Sequence, residues 1–277
     1  MSIITNRRSF IGSAAALAAG GALPLGALPR SSAGEIKLGV ASYSLRKFPR
    51  AEAIKMLGAL RVHYVSIKSF HLPYEGSAAE TKAGADEFRK AGLTVLSGGN
   101  INLTDPAKNR AMFEYAKAAG LPMMVCAPKK ETLDQIEELV KEFNIKIAIH
   151  NHGPEDKHFP TPESALKLIK DRDRRMGLCI DIGHTVRTGT NVLESIENAG
   201  PRLFSMHVKD LSDLMDKRSQ VEVGRGAMPI VGIFKLLKEM NYQGGVMLEY
   251  EIKADHPLPG MIESIAYMRG VLDGLAV

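Results

Sequence analysis

Hydrophobic and polar positions from residue 34 onward alternate between two kinds of segment. Short apolar runs rich in β-branched residues predict buried β-strands. Longer stretches with apolar residues three and four positions apart predict helices that pack on one face. The predicted strands are Ile36–Ala41, Tyr64–Lys68, Thr94–Ser97, Met123–Cys126, Lys146–His150, Gly177–Asp181, Leu203–Lys209 and Gly245–Glu251. The predicted helices are Ala51–Leu60, Ala78–Ala91, Ala107–Ala119, Thr132–Phe143, Pro162–Asp171, Val192–Ala199, Ile230–Met240 and Met261–Leu272.

The order of these segments predicts an α/β protein. Strands that alternate with helices form a parallel sheet, which is either closed or doubly wound. The Gly39-Val40-Ala41-Ser42 run lacks the G-x-G-x-x-G pattern of a dinucleotide-binding fold. Polar residues gather instead at the carboxyl ends of several strands, where a (β/α)8 barrel builds its active site. We therefore expect a single-domain (β/α)8 TIM barrel over residues 34–277.

The N-terminal residues have the pattern of an export signal. A twin-arginine pair, Arg7-Arg8, precedes a run rich in Ala, Gly and Leu, and small residues lead up to Ala33. Pro24 interrupts the apolar run, so a permanent transmembrane anchor is not expected. We predict a twin-arginine signal peptide over residues 1–33 and a periplasmic or other extracytoplasmic location for a protein that is not membrane-embedded.

Charge and cysteine content narrow the list of partners. The 277 residues have a net charge of +5, and the predicted signal contributes three arginines and no acidic residue, so the remainder is near +2 (5 − 3). The sequence has no tryptophan and no basic stripe interleaved with aromatic residues, so it does not suggest a nucleic-acid partner. Cys126 and Cys179 fall inside predicted strands, which favours buried free thiols.

Four polar clusters at strand ends carry the candidate chemistry. Side chains two positions apart on a strand share a face, so each cluster directs ligand-type residues to one rim. Carboxylate and imidazole donors suit one divalent ion, which could be Mn²⁺, Co²⁺, Mg²⁺, Fe²⁺ or Zn²⁺. We expect Asp181, His207 and Glu249 as metal ligands, with His150 as the fourth. The clusters are His150-Asn151-His152, Asp181-Ile182-Gly183-His184, His207-Val208-Lys209-Asp210 and Glu249-Tyr250-Glu251.

One residue at the end of the second strand and one in the loop after it give weaker signals. Lys68 is placed to reach the barrel mouth and contact substrate, although a lysine that extends from a strand end to solvent has the same pattern. His71 follows in the next loop and is a candidate for lining the substrate pocket, with a surface histidine as the alternative.

The strand-end clusters resemble those of the xylose-isomerase-like TIM barrels, the sugar-phosphate isomerase/epimerase group, over nearly all of residues 35–275. The resemblance implies that strands five to eight each supply one metal ligand, at His150, Asp181, His207 and Glu249. It also implies substrate contacts for His184 and for Arg225. The segments that carry it are Gly177–His184, His207–Asp210, Val223–Gly226 and Leu248–Glu251.

One departure from the family pattern affects the expected reaction. Sugar epimerases of this group usually have Glu at the strand-five position, where this chain has His150, so only Glu249 remains of a two-glutamate acid/base pair. His152 or Lys209 is then the candidate second acid/base. Glu251 is expected to orient Glu249 or to bind substrate hydroxyls. The same departure is compatible with a lyase or dehydratase.

These observations predict a divalent-metal-dependent sugar isomerase or epimerase that abstracts a proton next to a carbonyl. Export favours a non-phosphorylated keto-sugar, glycoside or related polyol as substrate, and a redox enzyme that supplies the keto-sugar is a compatible partner. The alternatives are a metal-dependent lyase or dehydratase of the 3-keto-glycoside or inosose type, and a non-catalytic sugar-binding barrel.

Overall fold

The computed structural model describes residues 35–276, and the signal segment predicted at residues 1–33 lies outside them. Within the described residues, eight parallel strands close into a barrel, as expected. The barrel strands are β1 Lys37–Ala41, β2 Tyr64–Ile67, β3 Thr94–Leu103, β4 Met123–Pro128, β5 Lys146–His150, β6 Met176–Asp181, β7 Leu203–Val208 and β8 Gly245–Leu248. The main helices are α1 Arg50–Ala59, α2 Ala78–Lys90, α3 Pro106–Ala118, α4 Leu133–Phe143, α5 Pro162–Ile169, α6 Val192–Ala199, α7 Ile230–Glu239 and α8 Leu258–Gly274.

Local capping explains where several helices begin and end. Ser77 accepts a hydrogen bond from the Glu80 amide while the Glu80 carboxylate accepts one from the Ser77 amide, so α2 starts with a capping box. The Asp105 side chain caps α3, whose first residue is proline. Helix α4 ends at Asn144, which adopts the left-handed conformation with φ 53°.

Neighbouring strands in the barrel are also neighbours in the chain, and β1 closes the barrel against β8. The register places His150 level with Cys179, and Asp181 level with His207. Val208 pairs with Leu248, so Glu249 begins just above the last paired residues of β7 and β8. The carboxyl ends of β5 to β8 therefore meet along one part of the rim.

The main hydrophobic core lies between the barrel strands and the helices around them. Phe88, Phe113 and Phe234 from three different helices are fully buried there. A smaller cluster of Met123, Val125, Ala148 and Cys179 is buried separately. Cys126 and Cys179 are both buried free thiols, which confirms the expectation from the sequence.

The structure differs from the predicted elements mainly at the rim. Strand β3 continues past Ser97 to Leu103, with a register shift against β4 between Gly98 and Ile101. A short helix, Ile182–Val186, directly follows β6, and Asp210–Leu211 pairs with Gln220–Val221 as a two-stranded ribbon. Across residues 35–276, no helix has both the length and the apolar character that a membrane crossing requires.

Candidate active site

The ends of β5 to β8 bring four ligand-type side chains together. His150 Nε2 lies 2.9 Å from His207 Nδ1 and 3.6 Å from Asp181 Oδ2. His207 Nδ1 lies 3.3 Å from Glu249 Oε2. One donor atom from each of these four residues lies within 4.8 Å of the other three. We call these four residues the rim cluster.

The rim cluster fits a divalent ion by distance and by unsatisfied polar atoms. An ion bound by nitrogen and oxygen at about 2.0 to 2.2 Å needs ligand atoms roughly 3 to 3.5 Å apart, close to the spacing observed. Asp181 Oδ2 is buried and accepts no hydrogen bond, and the Lys209 ammonium lies 3.0 Å from it as an ion-pair partner. Because buried polar atoms normally accept hydrogen bonds, an oxygen that is faced only by a cation and by His150 is suited to bind a metal ion.

The local fold explains why Asp181 points one oxygen into the cluster. Asp181 is the N-cap of the helix Ile182–Val186, and its Oδ1 accepts a hydrogen bond from the His184 amide at 2.8 Å. Asn151 accepts a hydrogen bond from the Asp181 amide at 3.0 Å and donates one to Thr185 at 3.0 Å. These contacts fix the carboxylate and leave Oδ2 facing His150.

Burial sets the protonation of His150. Desolvation lowers the pKa of His150 to about 3, although the nearby Asp181 carboxylate opposes the shift. The imidazole is therefore neutral near pH 7, which is the form that binds a metal ion.

Lys209 lies against three carboxylates, from Asp181, Glu249 and Glu251. Its ammonium Nζ is 3.0 Å from Asp181 Oδ2 without hydrogen-bond geometry, and it donates to Glu249 Oε2 at 2.9 Å and to Glu251 Oε2 at 2.6 Å. Burial lowers the pKa of Lys209, but the three carboxylates outweigh burial and raise the pKa well above its usual value. Lys209 is therefore a buried ammonium ion and not a general base.

Lys209 in turn acts on its carboxylate partners. Burial raises the pKa of Glu249, but Lys209 and then His207 outweigh burial and hold that pKa well below its usual value. Glu249 is therefore ionised, in the state required of a ligand or a base.

Two further histidines stand beside the rim cluster. The ring centroid of His152 lies 4.4 Å from that of His150, and the ring centroid of His184 lies 5.7 Å from that of His152. Arg187 donates to His184 Nδ1 at 3.1 Å. Since a guanidinium has no acceptor, neutral His184 carries its proton on Nε2 and offers that N–H as a donor.

His152 is held on both of its ring nitrogens. Its Nδ1 lies 3.4 Å from Asp156 Oδ2, and the Asn100 side-chain amide lies 2.8 Å from Nε2. Burial raises the pKa of Asp156, but His152 and two backbone amides outweigh burial and lower that pKa to about 2. The side chain of His152 is 35 % exposed, so a substrate at the mouth can reach it.

Lys68 lies on the other side of the mouth. Its Nζ is 3.4 Å from the Asn100 carbonyl oxygen and 5.4 Å from the centre of the Tyr43 ring. Burial lowers the pKa of Lys68, and the charges of Glu249 and Glu251 oppose this shift. The structure therefore places Lys68 at the mouth, and its contact with substrate stays a prediction.

The structure corrects the expected role of His71. This residue is 1 % exposed, and its Nδ1 lies 2.9 Å from Ser42 Oγ. Its Nε2 lies 3.2 Å from the carbonyl oxygens of both Leu45 and Phe48. With both ring nitrogens engaged inside the fold, His71 is a structural residue and not a substrate ligand.

The structure pairs Arg225 with an acidic residue outside the rim cluster, and its contact with substrate stays a prediction. Its guanidinium forms a two-bonded ion pair with Glu263 on α8, and the side chain is 63 % exposed. Within the described part of the chain, no hydrogen bond or ion pair joins Arg225 to the rim cluster. Asp210 explains this outcome, since its carboxylate accepts hydrogen bonds from the amides of Gly224 and Gly226 and fixes the loop.

Two residues that support the site, Asp156 and Arg187, are not predicted from the sequence. Asp156 reads as surface in a polar loop, although it contacts His152. Asn100 reads either as a ligand for substrate hydroxyls or as a turn residue, and its side-chain amide contacts His152. Arg187 lies three residues after His184 on the short helix, and this spacing places the two side chains on one face. Recognising that helix from its Asp181 cap would have identified Arg187.

Comparisons with known proteins agree with the barrel fold. Residues 52–271 match the family model for the xylose isomerase-like TIM barrel. Inosose isomerase from Halalkalibacterium halodurans is 24 % identical over 175 residues, which cover 54 % of this chain and 62 % of that protein. Inosose dehydratase from Clostridium perfringens is 30 % identical over 137 residues, which cover 44 % of this chain and 46 % of that protein. In each comparison the aligned part is less than two thirds of the curated relative.

A solved structure resembles the barrel over most of its length. The crystal structure of the IolI protein with a bound zinc atom superposes with a TM-score of 0.70 at 19 % identity. The superposition covers 84 % of this chain and 98 % of that one, and it supports the barrel fold.

Proposed function

Because the chain belongs to the xylose isomerase-like TIM barrel family, we propose that it is a divalent-metal-dependent sugar isomerase or epimerase. The substrate is a non-phosphorylated keto-sugar or related polyol, and the reaction begins with proton abstraction next to a carbonyl. The observation that carries this proposal is the convergence of the rim cluster, His150, Asp181, His207 and Glu249, on one point.

Within the proposal, the four rim-cluster side chains would hold the ion. A bound ion would supply polarisation of the substrate carbonyl and stabilisation of the developing negative charge, worth on the order of several kcal/mol. The zinc atom in the crystal structure of the IolI protein, which has a similar barrel, supports a metal-dependent function. Mn²⁺, Co²⁺, Mg²⁺, Fe²⁺ and Zn²⁺ are all compatible with this set of donors.

The protein's own groups divide the proton transfer between them. Glu249 is an ionised carboxylate at the rim, so it takes the proton from the acidic carbon. His152 is the better candidate for the second acid/base, because its side chain is 35 % exposed at the mouth whereas Lys209 is only 3 % exposed. His184 Nε2–H donates to a substrate oxygen, and Lys68 contributes a positive charge from the opposite side of the mouth.

A second candidate function is a metal-dependent lyase or dehydratase that acts on a 3-keto-glycoside or an inosose. The observation that favours it is His150 at the end of β5, where a second glutamate would be needed for two-carboxylate epimerisation. The similarity to an inosose dehydratase supports the same alternative. In this case Glu249 removes the proton, and a substituent on the next carbon leaves. A keto-glycoside substrate also requires a preceding oxidation by a redox enzyme.

Product analysis in deuterium oxide separates these functions. An isomerase or epimerase gives a stereoisomer or positional isomer that carries solvent deuterium at the reacting carbon. A lyase acting on a 3-keto-glucoside releases the aglycone and gives a new enone absorbance. A non-catalytic barrel binds sugar, and turnover is absent both in the wild-type protein and in Glu249→Gln. Absence of turnover with every keto-sugar and glycoside tested, in metal-loaded protein, contradicts the proposal.

The predicted export signal bears on the choice of substrate. Phosphorylated sugars are scarce outside the cytoplasm, so an extracytoplasmic enzyme acts on free sugars or glycosides. Competition kinetics with a sugar and its phosphate ester test this point. A kcat/KM that clearly favours the phosphate ester contradicts both the proposed substrate class and the proposed location.

A further inference from the structure

The ammonium group of Lys209 and the proposed metal ion require the same two oxygens. Lys209 Nζ lies 3.0 Å from Asp181 Oδ2 and 2.9 Å from Glu249 Oε2. These are also the carboxylate atoms that face the imidazole nitrogens, His150 Nε2 at 3.6 Å and His207 Nδ1 at 3.3 Å. A compact cation therefore already lies against the carboxylate half of the rim cluster.

We propose that Lys209 is a built-in counter-ion that competes with the divalent metal and thereby sets the metal affinity of the site. Without metal, its ammonium neutralises Asp181 and Glu249. When metal binds, the ammonium leaves these two oxygens and keeps only its bond to Glu251. This inference rests on the metal site of the proposed function, and it assigns to Lys209 a role separate from proton transfer.

Electrostatics make the two cations competitors. Lys209, Asp181 and the two histidines of the rim cluster are all at most 3 % exposed, so water screens their charges weakly. A divalent ion bonded to the same oxygens would lie within a few ångströms of the ammonium. Repulsion at that distance in a buried site opposes simultaneous occupation, and the ammonium is the partner on a flexible stem.

Glu251 gives the displaced ammonium a second position. Lys209 Nζ already donates to Glu251 Oε2 at 2.6 Å, the shortest of its three carboxylate contacts. The Glu251 side chain is 37 % exposed and is not part of the rim cluster, so it lies toward the open side of the site. A small rotation toward Glu251 therefore keeps the ammonium paired while freeing the ligand oxygens.

The absence of a side chain at Gly183 leaves the space that the Lys209 side chain occupies. A Cβ atom at this glycine would lie 2.7 Å from both Cγ and Cδ of Lys209. The lysine stem therefore crosses directly over Gly183, in space that any larger residue would occupy. This contact confines the movement to the end of the side chain and explains why the short helix after Asp181 has glycine at its second position.

Removal of the ammonium tests the competition directly. Metal-free Lys209→Met is titrated calorimetrically with Zn²⁺ and with Mn²⁺, and its melting temperature is measured with and without metal. We expect metal binding at least about 10-fold tighter than in the wild-type protein, with a larger metal-induced rise in melting temperature. Lys68→Met is the matched control, because it removes a mouth charge that does not touch the rim cluster; its metal affinity should stay within about 2-fold.

Glu251→Gln is expected to change metal affinity in the opposite direction, and this single variant can be tested even if Lys209→Met does not fold. Removing the negative charge of Glu251 leaves the Lys209 ammonium on the ligand oxygens, so metal binding should weaken by about 10-fold. In the Lys209→Met background the same substitution should change affinity by less than about 2-fold. Equal weakening in both backgrounds would instead identify Glu251 as a metal ligand and overturn the inference.

The outcomes also separate this inference from the proposed function. A wild-type protein that binds no divalent ion overturns both. A wild-type protein that binds metal, with unchanged or weaker binding in Lys209→Met, overturns the competition and leaves the metal-dependent function intact. Unchanged metal affinity in Glu251→Gln likewise contradicts the competition.

Discussion

The β5–β8 half of the barrel mouth and the β1–β4 half carry different chemistry, although the sequence offers polar residues in both. In the β5–β8 half, the side chains of the rim cluster approach one another to between 2.9 and 3.6 Å. In the β1–β4 half, His71 is enclosed by Ser42 and two carbonyl oxygens, and Lys68 lies beside the Tyr43 ring, over which Arg46 also lies.

The two halves differ in whether their buried polar atoms have hydrogen-bond partners within the fold. Both ring nitrogens of His71 have partners inside the fold, whereas His150 Nε2 and His207 Nδ1 face each other and the Asp181 and Glu249 carboxylates. Asp181 Oδ2 accepts no hydrogen bond and is faced by the Lys209 ammonium. Ligand-type residues thus indicate a metal site only where the register brings their ends level and where polar atoms are left available.

The largest expected effect comes from Glu249→Gln, which keeps the shape of the side chain and removes its negative charge. Loss of the proposed base should lower kcat by roughly 10²- to 10⁴-fold. Steady-state kinetics on the substrate identified in deuterium oxide measure this loss. Turnover equal to that of the wild-type protein would remove Glu249 from the reaction and with it the distinct role of the β5–β8 half.

Asp181→Asn should give the next largest effect. The amide oxygen can still cap the helix Ile182–Val186, so the melting temperature of the metal-free protein should fall little. Metal affinity should fall by at least about 100-fold, because losing a direct ligand exceeds the 10- to 100-fold cost of losing a group that only supports one. Calorimetric titration checks the affinity, and an unchanged value would contradict the assignment of Asp181 as a ligand.

His71→Gln should affect stability and spare metal binding. Loss of buried hydrogen bonds should lower the free energy of unfolding by about 1–3 kcal/mol, while metal affinity stays within about 2-fold. Burial lowers the pKa of His71 from 6.5 in the folded protein, so the unfolded chain binds a proton more readily. The contribution of His71 is therefore fully present above pH 6.5 and is lost as pH falls from 6.5 toward the folded pKa.

Urea unfolding at several pH values above and below 6.5 measures both effects. His71→Gln should show a shallower loss of stability with acid than the wild-type protein does. His256→Gln is the control, since His256 is exposed and should leave stability and its pH dependence unchanged. A large drop in metal affinity in His71→Gln would contradict the assignment of the metal site to the β5–β8 half alone.

Arg225→Ala should give the smallest effect. An exposed ion pair such as Arg225–Glu263 contributes about 0 to 1 kcal/mol, so the melting temperature should change little. We expect kcat/KM to stay within about 2-fold of the wild-type value. A fall of more than 10-fold in kcat/KM, with stability preserved, would return Arg225 to the substrate site.

The sequence predicts the barrel well because periodicity and turn residues agree along most of the chain. Strand β5 has its predicted bounds, Lys146–His150, and it follows Asn144, whose left-handed conformation ends α4. Strand β3 is longer than predicted because its pairing with β4 resumes at Ile101 after the glycines at 98 and 99. Local sequence marks those glycines as an end, and only the neighbouring strand reveals the continuation.

The candidate site is predictable where it depends on strand ends and not where it depends on distant partners. The period of two places His150 and His152 together, and their ring centroids are 4.4 Å apart. The roles of His71 and Arg225 depend on contacts with Ser42 and Glu263, 29 and 38 residues away. No local pattern distinguishes such a satisfied or surface side chain from a ligand.

The most direct test of the account is a crystal structure of the Mn²⁺-loaded protein, with anomalous scattering recorded at the manganese edge. We expect one ion bonded to His150, Asp181, His207 and Glu249, with no ion bound in the β1–β4 half of the mouth. An ion bonded elsewhere, a multinuclear cluster, or an ion that lacks the Asp181 and Glu249 carboxylates would contradict it.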